Sequence, residues 1–210
     1  PTRCSEKPLK IHKEYLKSRG FNRKEIELYF DIKYTGQISS YLRSDGKRSN
    51  FSYRIIIPIY MNKKLVNFTA RDVTGLAEER YKNCPNDDAI FHTKDCIYGY
   101  DLAGKGTSKD VVVFVEGPTD VWRIGPGAFG IFGLKYTENQ LKAIYKKEIK
   151  KAFTLFDKGK REKKIAELFA REIGSFIPEV NIIEFDEDDS DDPGSMTKKQ
   201  VNELRAIIGG

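Results

Sequence analysis

Five apolar residues, Val111 to Val115, four of them valine, run directly into Glu116-Gly117-Pro118-Thr119-Asp120. An unbroken β-branched run of this length suits a strand covered on both faces, and such strands belong to parallel sheets packed between helices. Parallel neighbours need a crossover, and the crossover is almost always right-handed and helical. A strand that delivers a carboxylate at its carboxyl end also puts charge where open α/β sheets bind ligands. These few residues therefore restrict the fold and point to an edge of it.

The rest of the chain after residue 110 supplies the alternation that a parallel sheet requires. A short helix is expected near 119–124, then a strand at Ala128-Phe129-Gly130-Ile131-Phe132. Thr137 caps a helix to about 150, with Leu141, Ile144 and Tyr145 on one face. Ala152-Phe153-Thr154-Leu155-Phe156 reads as a third strand and ends in Asp157; a helix at 161–173 carries Ile165, Leu168, Phe169 and Ile173 at helical spacing. Residues 180–185 read as a fourth strand ending in Asp186, and Thr197 opens a last helix. The glycines at 125, 127, 130 and 133 do not open a helix directly after a strand, so they make no dinucleotide fingerprint.

The front of the chain has another character. Residues 8–30 read as a helical hairpin stopped at Gly20. Residues 51–60 and 65–70 read as the arms of a β-hairpin joined at Asn62-Lys63, with Pro58 placing the first arm at an edge or strand end. Residues 74–95 look loop-rich, and the segment 103–109, with Gly104 and Gly106, is the expected linker. Residues 1–82 hold 18 Lys and Arg against 9 Asp and Glu, whereas residues 83–210 hold 19 against 22. A basic front half suits contact with a polyanion, and an acidic back half suits contact with cations. No apolar run is long enough to span a membrane, and no membrane partner is expected. The three cysteines form no Cys-x-x-Cys pair, and Cys84, His92 and Cys96 lack a clear fourth ligand, so neither a disulfide framework nor a zinc site is expected. A reducing, cytoplasmic setting fits this usage.

Glu116, Asp157 and Asp186 all follow predicted parallel strands, and Asp120 lies one turn past Glu116. Carboxyl ends share one rim of a parallel sheet, so these acids are expected to converge. Converging carboxylates repel one another unless cations lie among them, and hard oxygen ligands select Mg²⁺ or Mn²⁺. Such ions serve phosphoryl transfer. Seven acids crowd residues 184–192, and the Pro193-Gly194 turn favours Asp192 among them as a ligand facing the rim.

Read together, VEGPTD at 115–120, FDKGK at 156–160 and DDPGS at 191–195 resemble the TOPRIM domain of primases, topoisomerases and some nucleases. Upstream, YLKSRGF, RIIIPIY, NFTARD, RYKNCP and IYGYDLA resemble, in order, the basic subdomain of bacterial-type primases. The resemblance covers residues 9–205. It implies an α/β chain with a TOPRIM-like, mainly parallel four-stranded sheet flanked by helices over 105–210, and a basic α+β subdomain over 1–104. The implied activity is RNA primer synthesis from ribonucleoside triphosphates on a single-stranded DNA template, with Mg²⁺ or Mn²⁺. Glu116, Asp120 and Asp157 would be catalytic and metal-binding, with Asp192 a further ligand. Arg54, Arg71, Arg80, Lys82 and Lys94 would hold template or nucleotide phosphates.

The resemblance further suggests an excised, phage-encoded core in a bacterial cytoplasm, without the family's zinc-binding and helicase-contacting regions, and a replicative helicase as partner. Two departures stand out: Gly159 and Gly194 occupy positions where the family carries acids, so Asp186, Asp188 or Asp189 would have to substitute, or fewer ions would bind. Lys158 and Lys160 flank the first gap and would either weaken cation binding or contact phosphates. The competing readings are a TOPRIM nuclease and a non-catalytic single-stranded-DNA-binding module of a helicase-primase. Trp122, Tyr34, Tyr41 and Tyr53 could stack on bases, but packing is the default for each.

Overall fold

A computed structural model describes residues 4–5, 7–105, 110–186 and 191–209. The chain forms two compact units, Pro1–Thr93 and Lys94–Gly210.

The first unit begins with β1 (Cys4–Ser5), α1 (Lys10–Ser18) and α2 (Arg23–Phe30), followed by β2 (Lys33–Thr35), β3 (Ser40–Leu42), β4 (Arg48–Asn50), β5 (Arg54–Met61), β6 (Lys64–Asp72) and β7 (Tyr81–Asn83). The helical hairpin forms as expected, with Gly20 in the left-handed region (φ 67°) between its arms. Asn62 and Lys63 both adopt positive φ, 54° and 62°, the conformation of a tight two-residue hairpin turn. The β5–β6 hairpin is the centre of an antiparallel sheet ordered β1-β2-β5-β6-β7.

Pro58 lies inside β5 and pairs with Phe68, at a point where the strand is an edge on its other side, as the sequence suggests. It is tolerated because β2 accompanies β5 only at Ile55 and Ile56, so no strand needs the missing donor beyond them. The expected loop at 74–95 contains β7, a short strand whose mixed exposure hid it. Phe51, Ile56 and Ala70 form a buried cluster against which Tyr41 and Phe68 pack. Tyr34 is buried, and its hydroxyl donates to Glu27 at 2.8 Å.

The second unit contains β8 (Val111–Val115), α3 (Pro118–Ile124), β9 (Ala128–Gly130), α4 (Glu138–Tyr145), β10 (Lys151–Thr154), α5 (Lys160–Ile173), β11 (Glu179–Ile182) and α6 (Lys198–Gly209). Its sheet is parallel throughout, in the order β11-β10-β8-β9. The chain thus steps from β8 to one side, then crosses to the other side for β10 and β11. That reversal creates a switch point between β8 and β10, where sheets of this kind leave a crevice at the carboxyl ends.

Buried aromatics hold the unit together. The Phe169 ring on α5 lies 5.1 Å from Phe114, 5.0 Å from Tyr136 and 6.0 Å from Phe156. Trp122 is buried, with Nε1 donating to the Tyr98 hydroxyl at 2.8 Å, so it is a packing residue. α4 ends at Tyr145, short of the expected position near 150.

Residues 96–100 also belong to this unit. Tyr98 pairs antiparallel with Gly130, and Gln140 Nε2 donates to the Cys96 carbonyl at 2.7 Å. Gly99 permits this close approach, because it has φ 82° and a side chain there would strike the Ala128 carbonyl. The division between units therefore falls earlier than the glycine-containing stretch at 103–109 suggested. Residues 106–109 lie outside the described set.

Candidate active site

The switch point determines which acids meet. β8 and β10 are adjacent and in register, with Phe114 beside Thr154, so their continuations emerge together. Glu116 follows β8 directly, and its Oε1 accepts the Asp157 backbone N–H at 3.3 Å. Asp120, in the first turn of α3, is buried, and its Oδ2 accepts the Gly117 N–H at 2.8 Å. That bond fixes the carboxylate one turn past Glu116 and ties off an otherwise orphaned helix donor.

Asp192 enters from the other side of the chain. Arg123 Nε, on α3, donates to the Gly194 carbonyl at 3.0 Å, and the Lys158 N–H donates to the Asp191 carbonyl at 2.7 Å. These two bonds pin the 191–194 turn to the rim on both flanks.

The electrostatics follow from this crowding. Burial, then the charges of Asp157 and Glu162, push the Glu116 carboxyl up to about 7, against the opposing pull of the Asp157 N–H and Arg161. Burial likewise raises Asp120 to about 7, with Asp157, Asp192 and Glu116 adding to it and the Gly117 N–H resisting. Asp157 rises to about 6 through burial, Asp192 and Glu162. Asp157 acts on both Glu116 and Asp120, and Asp192 on both Asp120 and Asp157, as like charges gathered at one rim do.

Asp186 differs from expectation. β11 ends at Ile182, so Asp186 lies beyond the strand end and is exposed, and its carbonyl accepts from Lys158 Nζ at 2.8 Å. Lys158 is thus turned toward the main chain of the acidic segment. Asp188 and Asp189 lie outside the described residues. A cleft of about 520 Å³ opens beside Asp157, lined by Phe156, Lys158, Lys160, Ile182 and Glu184 among others.

The residues suit a hard divalent cation. The donor set is all oxygen, and Asp157 Oδ1 is buried without a hydrogen-bond partner among the described residues, an arrangement a cation would satisfy. Among the described residues, no three His, Cys, Asp or Glu side chains already share a metal-holding geometry.

A pH dependence follows. The native pKa values of these three carboxyls stand above their ordinary values near 4, so between about pH 4 and 7 the folded chain holds more protons than the unfolded one. Their contribution to stability is full below pH 4 and is lost as pH rises through 6 to 7. Buried His12 is depressed to about 4 and titrates in the opposite sense. The increment in Tm conferred by Mg²⁺ or Mn²⁺ over EDTA isolates the cluster from His12. It is expected to be large at pH 8 and near zero at pH 5; an equal increment at both would disprove the coupling.

The basic residues are placed in two settings. In the first unit, Arg54 is buried, with Nη1 donating to the Ala70 carbonyl at 3.1 Å and Nη2 to the Glu79 carbonyl at 3.0 Å. Arg71 is also buried, stacked 4.8 Å from the Tyr81 ring and 5.5 Å from the Tyr15 ring, and its Nε has no acceptor among the described residues. Arg80 is exposed; Lys82 is half-buried, with Nζ 3.4 Å from Glu79 and 5.6 Å from the Phe51 ring. Lys94 belongs to the second unit and donates to the Phe132 carbonyl at 2.8 Å. The Tyr15 and Tyr81 platforms on Arg71 were not foreseen, since alternate residues on separate elements carry no pairing signal in sequence.

The fold is that of bacterial primase catalytic cores. The Aquifex aeolicus primase, solved with its zinc-binding and RNA polymerase domains, superposes with a TM-score of 0.76 at 21% identity, over 95% of this chain and 55% of that one. A DnaG primase catalytic domain solved with single-stranded DNA gives 0.75 at 17% identity, over 94% of this chain and 71% of that one. The RNA polymerase domain of Mycobacterium tuberculosis primase, in complex with a DNA duplex bearing a 6-nucleotide overhang, gives 0.72 at 18% identity, over 98% and 74%. The chain thus spans about half the length of the Aquifex protein. No family model and no curated protein matches the sequence. No described helix is long and apolar enough to cross a membrane.

Proposed function

We propose that the chain is the catalytic core of a DNA primase of the TOPRIM type, joining ribonucleotides on a single-stranded DNA template in a bacterial cytoplasm. The observation that carries this reading is the meeting of Glu116 and Asp157 at the β8–β10 switch point, within a fold shared with primase catalytic domains, one of which was solved with single-stranded DNA.

Glu116, Asp120, Asp157 and Asp192 would hold Mg²⁺ or Mn²⁺, which when bound neutralises triphosphate charge and the charge developing in phosphoryl transfer. The chain itself positions these carboxylates through the Gly117, Lys158 and Arg123 hydrogen bonds and keeps them partly out of water. The cleft beside Asp157 has the volume of a small-ligand site and suits a ribonucleoside triphosphate. Arg71, Arg80, Lys82 and Lys94 would take phosphates. Arg54 already spends two donors on carbonyls, so its role is to hold the β6–β7 connection that carries Arg80 and leads into Lys82 on β7.

A second reading, a non-catalytic DNA-binding module of a helicase-primase, is favoured by the glycines at 159 and 194. Incubation with single-stranded DNA, labelled ribonucleoside triphosphates and Mg²⁺ or Mn²⁺ separates the readings. Short RNA products are expected. Salt-sensitive binding without products would establish the module, and DNA fragments would establish a nuclease.

A further inference from the structure

Gly159 stands where the resemblance calls for a second acid, yet the space beside it holds a carboxylate. Gly159 caps α5 in extended backbone (φ 165°), a conformation open to any residue. A Cβ built there would collide with Oε2 of Glu162 and lie 3.1 Å from its Cδ. Glu162 lies in the first turn of α5, and helical side chains lean back over the turn preceding their own Cα. Its carboxylate therefore occupies the region that an aspartate side chain at 159 would fill.

We propose that Glu162 replaces the missing acid and, with Asp157 and Glu116, ligates a divalent cation. This rests on the metal-dependent reading given above. Two observations carry it. The first is the position of the Glu162 carboxylate over Gly159. The second is the buried Asp157 Oδ1, a neighbouring carboxylate oxygen with no hydrogen-bond partner among the described residues. The charge of Glu162 also adds to the upward push on the Glu116 and Asp157 carboxyls. A glutamate has one more methylene than aspartate, and that length lets a ligand be supplied from one helical turn further on. Glu162, half-buried here, would turn inward to complete the set. A purely structural role would be that of a helix N-terminal acid, which a glutamine performs nearly as well.

The test measures Mn²⁺ binding to the full chain by electron paramagnetic resonance of the free ion. Wild type is compared with Glu162→Gln, Asp157→Asn and the double variant Gly159→Asp/Glu162→Ala. Glu162→Gln is expected to weaken binding by about tenfold or more while leaving thermal unfolding unchanged without metal. The double variant, which restores an aspartate where the glycine stands and removes the side chain in its way, is expected to recover wild-type affinity. Wild-type affinity in Glu162→Gln, or no recovery in the double variant, overturns the role of Glu162. If Asp157→Asn abolishes binding in that case, the metal site itself survives. If wild type binds no Mn²⁺, the metal-dependent reading falls and this inference with it.

Discussion

Glu116→Gln is expected to lower primer synthesis by at least about 100-fold while leaving the fold intact. Glutamine keeps the volume of the side chain and an oxygen able to accept the Asp157 N–H, now at 3.3 Å. What it removes is the charge. In the metal-free chain that charge is unfavourable, since burial and the neighbouring acids push its carboxyl up to about 7. The variant is therefore expected to unfold at the same temperature as wild type or slightly higher at pH 8, and to keep its affinity for single-stranded DNA. Activity lost without loss of stability or template binding identifies Glu116 with the chemistry. Full synthesis by this variant would remove it from the reacting centre.

The second large effect concerns the scaffold. Phe169 is fully buried on α5, with its ring within 6.0 Å of Phe114, Tyr136 and Phe156. Two of these partners, Phe114 and Phe156, lie on the segments that lead into Glu116 and Asp157. Phe169→Ala is expected to cost about 3–5 kcal/mol, the transfer term plus a cavity that rigid aromatic neighbours cannot close. Denaturant unfolding should show a lower midpoint at similar slope. Leu168→Ala is the control: its side chain is partly exposed, 44% by area, and the change is expected to fall within about 1 kcal/mol. A Phe169 effect as small as that of Leu168 would mean that the aromatic cluster does not hold the rim in place.

Much of the second unit was legible because its elements carry strong periodic signals. Val111–Val115 announces a central strand, and the helices at 160–173 and 198–209 show regular apolar spacing. The acids after β8 and β10 could be placed at one rim from parallel geometry alone. The first unit was less legible. β3, β4 and β7 are three residues each and partly exposed, too short to show the alternation that marks a strand. Asp186 lies past its strand because the strand-like alternation of Ile183, Glu184 and Phe185 continues beyond the last ladder pair at Ile182. Glu162 passed unnoticed as one charge among many in KREKK. The only trace of its role is a Gly-x-x-Glu spacing at a helix start, which ordinarily signals a cap.

The sequence alone determined the parallel α/β character of residues 111–209, the acids at the ends of its strands and the basic character of the front half, because periodicity and charge are local properties of the chain. Tertiary structure alone decided that β10 lies beside β8, so that Glu116 meets Asp157, that Arg54 turns inward to carbonyls while Arg71 is clasped between two tyrosines, and that Glu162 bends over Gly159. Each of these depends on which distant segments pack together, and a packing choice among several apolar faces leaves no mark at any single position.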